Sequence, residues 1–318
     1  ISVNNFNRNF YFIPIIWVSI EYLRTFSILG FPWVSIANSQ AYYNILAQNV
    51  EFTGIYGISF WLVLINVILY DLYRMTDRKI LMRLAIIFIF PWISGYCLYN
   101  FQKTDLSEGM NVVIVQPNIH LNEKRNPTSF DQNIKKMVEI STSRINQNTD
   151  LVLFPESAMS VIHLSHKSSL DLIQKSILNN KTSLLTGLHY FEYGIDRERI
   201  HYNSIIHLNA RNFIQSPDLY HKINLVPLAE KIPLASTFPI LKSINIGQAN
   251  FESGNEHKIF NINNYKVGGM ICYESTFPQL NRKFIKNGAE ILIYFVNDGW
   301  YEHPPQPQQH AKQSIYRA

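Results

Sequence analysis

Charged residues and cysteines are both scarce in this chain of 318 residues. Only 16% of the residues are Asp, Glu, Lys or Arg, whereas soluble domains usually carry about 25%. Two cysteines, Cys97 and Cys272, are too few for a disulfide scaffold. The sequence also lacks internal repeats and low-complexity segments, and its 47% hydrophobic content excludes a disordered or collagen-like chain. The formal net charge of +5 is too diffuse to predict nucleic-acid binding.

The scarcity of charge is confined to the first third of the chain. Residues 1–100 contain six Lys or Arg and four Asp or Glu, which makes 10 charges, whereas residues 101–318 contain the other 22 and 19, which makes 41. The second proportion is close to that of a globular domain. The sequence therefore predicts two parts, a membrane part over residues 1–102 and a soluble-type domain over residues 103–318.

About three stretches of the membrane part are predicted to cross a bilayer. Residues 53–70 and 84–102 carry no charge, and a helix of about 19 residues is roughly 28 Å long, close to a hydrocarbon core of about 30 Å. The stretch 10–29 contains Glu21 and Arg24, which share a helix face. These two charges indicate either a polar contact between helices or a position at the membrane interface, and the residues alone do not decide between them.

The distribution of positive charge predicts the orientation of these helices. The connection 30–50 has no Lys or Arg, whereas the connection 71–83 has four, namely Arg74, Arg78, Lys79 and Arg83. Since positively charged connections stay in the cytoplasm, the last helix is expected to deliver the chain after about Lys103 to the extracytoplasmic side. The chain begins at Ile1 without an initiator Met and ends inside a predicted helix, so we interpret it as a fragment lacking some membrane helices.

Short apolar runs alternate with amphipathic helical patterns in the second part. The predicted strands are residues 111–116, 151–154, 183–187, 204–208, 266–272 and 290–296, and the predicted helices are 131–146, 168–179, 277–287 and 308–317. Continuous apolar runs suit strands that are buried on both faces, and helices between them indicate a layered α/β domain. The long segment 233–255, which is apolar in patches, is predicted to be a mobile loop over a site.

Three polar residues are expected at the ends of buried strands. Glu156 follows LVLFP, Lys222 follows DLYH, and Cys272 closes KVGGMIC. Strand ends line the reactive crevice in α/β folds. A carboxylate there can take the proton of a thiol whose ordinary pKa is about 8.5, and an ammonium can stabilise an oxyanion. Taken alone, a cysteine at a strand end is more often a core-packing residue, and a Glu and a Lys often form a solvated surface pair, so the prediction depends on the sequence contexts of the three residues.

Those contexts resemble a known family. LVLFPESAM, HKINLVPLAEKIP and GGMICYESTFP resemble the Glu, Lys and Cys motifs of the nitrilase (carbon–nitrogen hydrolase) superfamily, and more narrowly of the bacterial apolipoprotein N-acyltransferase family. VVIVQPNI resembles the first strand of that family's domain, and FVNDGWY and QQHAKQSIYRA resemble its last motifs. WVSIEYLRTFSILGFPW and FTGIYGISFWLVLIN resemble its membrane helices. The resemblance covers nearly the whole chain.

This resemblance implies a nitrilase-like α-β-β-α sandwich that follows transmembrane helices, and acyl transfer in two halves. Cys272 would accept a fatty acyl chain from a phospholipid as a thioester, Glu156 would be the general base, and Lys222 would stabilise the oxyanion. The acceptor would be the N-terminal amine of a diacylglyceryl-Cys apolipoprotein. Both substrates are membrane lipids. The patchily apolar loop 234–251 would admit their acyl chains to the site. No cofactor is implied.

The resemblance extends to supporting residues. Glu230, in PLAEKIP, matches a second Glu of the family and would orient either Lys222 or the proton path, and Tyr273 and Glu274 match positions that are important in the family. The backbone N–H of Tyr273 would be a second oxyanion donor. Arg125 occupies a position where the family has an aromatic residue, so the resemblance assigns no substrate contact there.

The expected setting is a multi-pass protein of the bacterial inner membrane, with its catalytic domain on the periplasmic side. We expect a monomer that contacts the lipid bilayer and does not bind nucleic acid. The pairs His163/His166 and His201/His207 have no Cys or carboxylate cluster nearby in sequence, so no metal site is predicted.

Two alternatives differ in the chemistry they assign to the same fold. A membrane-anchored nitrilase-type amidase or hydrolase would use water in place of the lipoprotein amine, but a small-amide hydrolase has no need of the membrane part. A non-catalytic membrane scaffold would be expected to have lost at least one of Glu156, Lys222 and Cys272, and all three are present.

Overall fold

The structure is a computed structural model that describes residues 10–26, 30–101, 109–120, 123–124, 126, 129–160, 167–178, 181–210, 218–235, 237–238, 240–241, 249–300 and 305–317. The chain divides into two compact units. The first comprises Ile1–Leu106 and Pro304–Ala318, and the second comprises Ser107–His303. The division predicted at residues 102/103 stays a prediction, while packing groups the last residues with the first unit.

Four helices form most of the first unit, namely α1 (Ile13–Leu23), α2 (Asn44–Ala47), α3 (Val50–Arg74) and α4 (Arg78–Phe101). Within the described residues, α3 and α4 are long and apolar enough to cross a membrane. The helical segment Phe10–Leu23 is apolar but shorter, so a crossing by residues 10–29 stays a prediction.

A proline inside α4 is accommodated by side chains from neighbouring segments. Pro91 has no N–H with which to bond the carbonyl of Ile87. The Trp61 indole N–H of α3 donates to that carbonyl at 2.8 Å, and Asn49 Nδ2 donates to the Pro91 carbonyl at 2.8 Å. Because the carbonyl left open by the proline is satisfied by another helix, α4 continues to Phe101.

Glu21 is buried in the first unit and makes a polar contact between its elements. Its carboxylate accepts hydrogen bonds from Trp17 Nε1 at 3.0 Å, Ser35 Oγ at 2.8 Å and the Ile36 N–H at 2.8 Å. Ser35 Oγ lies 3.1 Å from Ser59 Oγ of α3. These contacts connect α1 to α3 through residues 35–36, which supports the polar-contact interpretation of this charge over an interfacial position.

The described residues of the second unit form two β-sheets and three α-helices. The first sheet has the order β1 (Val112–Ile114), β2 (Leu151–Ser160), β3 (Ser183–Tyr193), β4 (Arg199–Leu208) and β5 (Asp218–His221). Its first two pairings are parallel and its last two are antiparallel. The second sheet has the order β6 (Ile259–Ile262), β7 (Tyr265–Ile271) and β8 (Ile291–Phe295), with an antiparallel and then a parallel pairing. The helices are α5 (Phe130–Thr142), α6 (Lys167–Ser176) and α7 (Pro278–Lys286).

Neighbouring residues of β4 and β7 show the order of the layers, because successive side chains of a strand point to opposite faces. Ile206 of β4 belongs to the core that α5 and α6 form on the first sheet. Ile205 points to the opposite face of the first sheet, where it packs against Gly269 of β7. If Gly269 carried a Cβ atom, that atom would lie 3.0 Å from Ile205 Cδ1. On the opposite face of β7, a Cβ atom at Gly268 would lie 3.0 Å from Phe284 of α7. The layers are therefore α-β-β-α, as the resemblance implied.

The predicted elements of the catalytic part all occur, with shifted ends. The predicted helix 308–317 is α8 (Gln306–Gln313) followed by a 3₁₀ turn, and its segment belongs to the first unit, where the Tyr316 hydroxyl donates to the Ala37 carbonyl at 2.6 Å. Strand β6 was not predicted, and β5 was indicated only by the strand end expected before Lys222, since four residues give too short a pattern. Strand β2 extends to Ser160, beyond its predicted end at residue 154. Arg125, His163, His166 and residues 236, 239 and 242–248 of the predicted loop 233–255 lie outside the described residues.

Candidate active site

Glu156 lies at an irregularity inside β2, not beyond the end of the strand as the sequence indicated. The pairing of β2 with β3 is interrupted between Phe154 and Met159, and Ser157 has a left-handed φ of 51°. Gly187 of β3 packs against this irregularity, where a Cβ atom would lie 2.5 Å from Glu156 Cα. The extra residues of β2 thus direct the Glu156 carboxylate into the interior, where Glu156 is 7% exposed.

The Glu156 carboxylate is held by two donors from distant elements. Asn203 Nδ2 of β4 donates to Oε1 at 2.9 Å, and the Asn297 N–H donates to Oε2 at 2.9 Å. Burial raises the pKa of Glu156 above its ordinary value, while the Lys222 ammonium and the Asn203 hydrogen bond act in the opposite direction. A carboxylate with a raised pKa is well suited to accept and return a proton near neutral pH.

Lys222 directly follows β5, as predicted, and is fully buried. Its Nζ lies 3.0 and 2.9 Å from the two carboxylate oxygens of Glu230. Glu230 also accepts hydrogen bonds from Asn203 Nδ2 at 3.0 Å and from the Val226 N–H at 2.7 Å. Burial lowers the pKa of Lys222, but the carboxylates of Glu230 and Glu156 outweigh burial and raise it overall. Lys222 therefore stays a cation at neutral pH.

Cys272 follows the last residue of β7 and opens a 3₁₀ turn with a left-handed φ of 48°. Burial and the nearby Glu156 carboxylate raise the pKa of this thiol well above its ordinary value, although Lys222 lowers it. The Asp298 carboxylate, within 4.8 Å of Sγ, raises it further. The thiol is therefore protonated at rest, so nucleophilic attack by its sulfur requires a base.

Glu274 fastens the turn that carries Cys272. Its carboxylate is fully buried and accepts four hydrogen bonds of 2.8–3.0 Å, from the Tyr220 hydroxyl and the N–H groups of Ile223, Asn224 and Ile271. Two of these donors follow Lys222 in the chain, and one precedes Cys272. Glu274 thus fixes the position of the Cys272 turn relative to the Lys222 segment.

The structure therefore brings the predicted site residues together, some through hydrogen bonds between side chains and others through electrostatic or backbone contacts. Asn203 Nδ2 connects Glu156 to Glu230, which holds Lys222, and the Lys222 ammonium interacts electrostatically with Cys272. Glu274 acts through backbone donors.

Tyr273 is buried with its ring against Phe277, at 5.0 Å between ring centroids. The use of the Tyr273 N–H as an oxyanion donor stays a prediction.

Three residues of the site were missed from the sequence. Asn203 is a single amide inside the β4 run HYNSIIHL, and its only signal is a polar side chain in a buried strand. Lys124 Nζ donates to the backbone carbonyl of Glu156 at 2.8 Å from the segment after β1. Asp298 belongs to the FVNDGWY motif, which was noted without a role for its carboxylate.

The histidines on β4 are accounted for by ordinary contacts. His207 Nδ1 lies 3.3 Å from Asp218 Oδ2, and the same carboxylate pairs with Lys258 at 2.6 Å. The His201 ring packs against Phe191, with ring centroids 5.9 Å apart. The expectation that the protein uses no metal and no cofactor stays a prediction.

Comparison with known families identifies the family of the chain. The family model described as carbon-nitrogen hydrolase matches residues 111–318, and the model described as apolipoprotein N-acyltransferase N-terminal domain matches residues 1–68. The chain belongs to the carbon–nitrogen hydrolase family. The predicted nitrilase-like α/β fold is thereby confirmed, and two apolar helices, α3 and α4, precede the catalytic domain.

Individual relatives carry a narrower name. The apolipoprotein N-acyltransferase of Geobacter metallireducens is 28% identical over 323 residues, which cover 96% of this chain and 59% of the relative. That of Rickettsia prowazekii is 30% identical over 319 residues, which cover 96% of this chain and 60% of the relative. The chain thus spans about three fifths of the length of these curated relatives. A solved carbon–nitrogen hydrolase from Helicobacter pylori G27 is 19% identical, with a TM-score of 0.42 and coverage of 65% of this chain and 68% of that one.

Proposed function

We propose that this protein moves a fatty acyl chain from a phospholipid, through a thioester on Cys272, to the N-terminal amine of a diacylglyceryl-Cys apolipoprotein. The observation that carries the proposal is the hydrogen-bonded set of Glu156, Asn203, Glu230 and Lys222 beside the Cys272 thiol. Relatives that align with 96% of this chain are named apolipoprotein N-acyltransferases, which supports the choice of substrates.

The first half-reaction forms the thioester. Glu156 accepts the proton of Cys272 as the sulfur attacks the ester carbonyl of the phospholipid, because the thiol is protonated at rest. Lys222, with the Tyr273 N–H, stabilises the negative charge on the carbonyl oxygen of the tetrahedral intermediate. The C–O bond then breaks, and the leaving lysophospholipid oxygen takes the proton from Glu156.

The second half-reaction transfers the acyl chain. The apolipoprotein amine attacks the thioester carbonyl, Glu156 accepts a proton from the amine, and Lys222 again stabilises the oxyanion. The C–S bond breaks as the amide forms, and Cys272 regains the proton held by Glu156. Glu230 keeps Lys222 charged and in place throughout, since it contacts Nζ with both oxygens.

The same proposal includes a location. A multi-pass protein of the bacterial inner membrane, with its catalytic unit on the periplasmic side, accounts for the apolar helices α3 and α4 and for the positive charges of the connection 71–83. Both substrates are lipids of that membrane. We further propose that the enzyme acts as a monomer and does not bind nucleic acid.

The test is direct detection of the thioester. When the full-length protein is incubated with phospholipid vesicles, intact-protein mass spectrometry should show one added fatty acyl mass on Cys272, which hydroxylamine removes. Cys272→Ala should abolish the adduct, and Cys97→Ala should retain it. Glu156→Gln should slow adduct formation by roughly 10²–10⁴-fold, the usual cost of losing a general base.

Two results would contradict the proposal. A folded wild-type protein that acquires no acyl mass from any vesicle would contradict the first half-reaction. Alternatively, an acylated protein that releases fatty acid to water, and forms no amide when supplied with a diacylglyceryl-Cys peptide, would be a hydrolase.

A further inference from the structure

Lys124 contacts the residue that carries the general base of the proposed reaction. Its Nζ donates a hydrogen bond to the backbone carbonyl of Glu156 at 2.8 Å, across 32 residues of sequence. The side chain is half-buried, and it comes from the segment that follows β1. This contact lies on the main chain of Glu156, whereas Asn203 and Asn297 bind its carboxylate.

The backbone at this point needs support, because it departs from regular β structure. Strand β2 leaves its pairing with β3 between Phe154 and Met159, so part of the strand has no ladder partner there. Ser157, the next residue after Glu156, has a left-handed φ of 51°. A hydrogen bond from a lysine at this irregularity restrains the direction in which the Glu156 side chain leaves the strand.

The charge of Lys124 also acts on the Glu156 carboxylate. Glu156 faces Lys222 after β5, Glu230 in the following loop, Cys272 after β7 and Lys124 after β1. Lys222 and Lys124 lower the pKa of Glu156, and Glu230 raises it.

His189 of β3 also faces Lys124. Burial and the Lys124 charge lower the pKa of His189 to about 4, so this imidazole is neutral at physiological pH and adds no charge. Its Nε2 lies 2.8 Å from Ser157 Oγ. Burial lowers the pKa of Lys124 to about 8, although Glu156 opposes this, so the ammonium is charged below that pH.

We propose that Lys124 is a positioning residue for the general base, which fixes the main chain of Glu156 and favours the ionised form of its carboxylate. This proposal rests on the proposed function of Glu156. It predicts a change in pH dependence, since removal of a cation near a carboxylate raises the pKa of that carboxylate. The acid limb of the pH–rate profile should therefore move to higher pH when Lys124 is replaced by an uncharged residue.

The experiment uses three variants of the full-length protein in a Cys97→Ala background. Lys124→Met removes the charge and the donor, Lys124→Arg keeps both, and Lys135→Met removes an exposed lysine of α5 as the matched control. Two initial rates are measured from pH 5 to 9: thioester formation with phospholipid vesicles, and alkylation of the Cys272 thiol by iodoacetamide, which requires no lipid.

In Lys124→Met, the acid limb should move up by about half a unit to one unit, which is roughly a three- to tenfold lower rate on that limb. The arginine variant and the Lys135→Met control should keep the wild-type limb. An unmoved limb in Lys124→Met, including a rate lowered equally at every pH, would overturn the proposal for Lys124. If the wild-type protein forms no thioester but the alkylation profile of Lys124→Met still shows the shifted acid limb, the acyltransferase proposal is overturned. The proposal that Lys124 positions Glu156 then still holds.

Discussion

Left-handed backbone occurs at individual residues beside the key side chains of the site. Cys272 itself has φ 48°, Ser157 after Glu156 has φ 51°, and Leu228 before Glu230 has φ 69°. Such conformations cost about 1–3 kcal/mol each in non-glycine residues and persist only where the surrounding structure imposes them. At Cys272 the imposing contacts are the four hydrogen bonds of Glu274, which hold the turn against the Lys222 segment.

Asn203 provides the prediction at the residue scale. Its Nδ2 donates to both Glu156 and Glu230, so replacement by the similarly sized but apolar Leu removes one donor from each carboxylate. A hydrogen bond to a charged group contributes about 1.5–3 kcal/mol. We therefore expect Asn203→Leu to lower the rate of thioester formation about 10- to 100-fold at pH 7, with an acid limb at higher pH because the pKa of Glu156 rises.

The control for Asn203 is Asn148→Leu, which changes an exposed turn residue of the same unit. Thioester formation by this variant, measured by intact-protein mass spectrometry, should equal that of the wild type. A wild-type rate for a folded Asn203→Leu protein would show that the shared hydrogen bond has no part in the reaction.

At the scale of elements, β2 is the strand on which the site depends most. The apolar run in the sequence predicts a strand that ends at residue 154. In the structure, β2 continues through an irregularity after Phe154 and pairs again with β3 at Met159 and Ser160. Gly187 permits this path, because a Cβ atom there would lie 2.5 Å from both Glu156 Cα and Ser157 N. These are backbone atoms, so no side-chain rotation could relieve the overlap.

We expect Gly187→Ala to displace the segment that carries Glu156. The variant should have a lower midpoint of thermal unfolding, and it should form the Cys272 thioester at least about tenfold more slowly, since small displacements of a catalytic group are costly. The control is Gly109→Ala, where a Cβ atom would meet nothing within 4 Å. Wild-type stability and rate in Gly187→Ala would refute the proposed close packing of β3 against Glu156.

At the scale of the whole molecule, an apolar unit and a mixed α/β unit belong to one chain. In the first unit, the Glu21 carboxylate accepts hydrogen bonds from other residues of the unit. The Ile87 carbonyl, which Pro91 leaves without its helical donor, accepts one from Trp61. A hydrocarbon environment requires that polar groups be bonded within the protein in this way. Positive charge is concentrated where α3 ends and α4 begins: Arg74 is the last residue of α3, and Arg78, Lys79 and Arg83 lie in the first two turns of α4. These features predict an orientation in the membrane that can be measured.

Cysteine labelling tests that orientation. In a background of Cys97→Ala and Cys272→Ala, Asp77→Cys places a thiol between α3 and α4, and Glu139→Cys places one on the exposed face of α5. A membrane-impermeant maleimide should label residue 139 in intact spheroplasts and residue 77 only after permeabilisation. Labelling of residue 77 from outside would reverse the proposed orientation.

The sequence by itself determined the division into apolar and mixed parts, the α/β class and six of the eight strands seen in the described residues, because each depends on local composition and periodicity. It also pointed to Glu156, Lys222 and Cys272 through their adjoining motifs. Only the tertiary structure decided what surrounds them: Asn203 reaches Glu156 across 47 residues, and Lys124 reaches it across 32. The local sequence does not show which residues such side chains contact, because a hydrogen bond depends on positions in space that strand pairing and layer packing create.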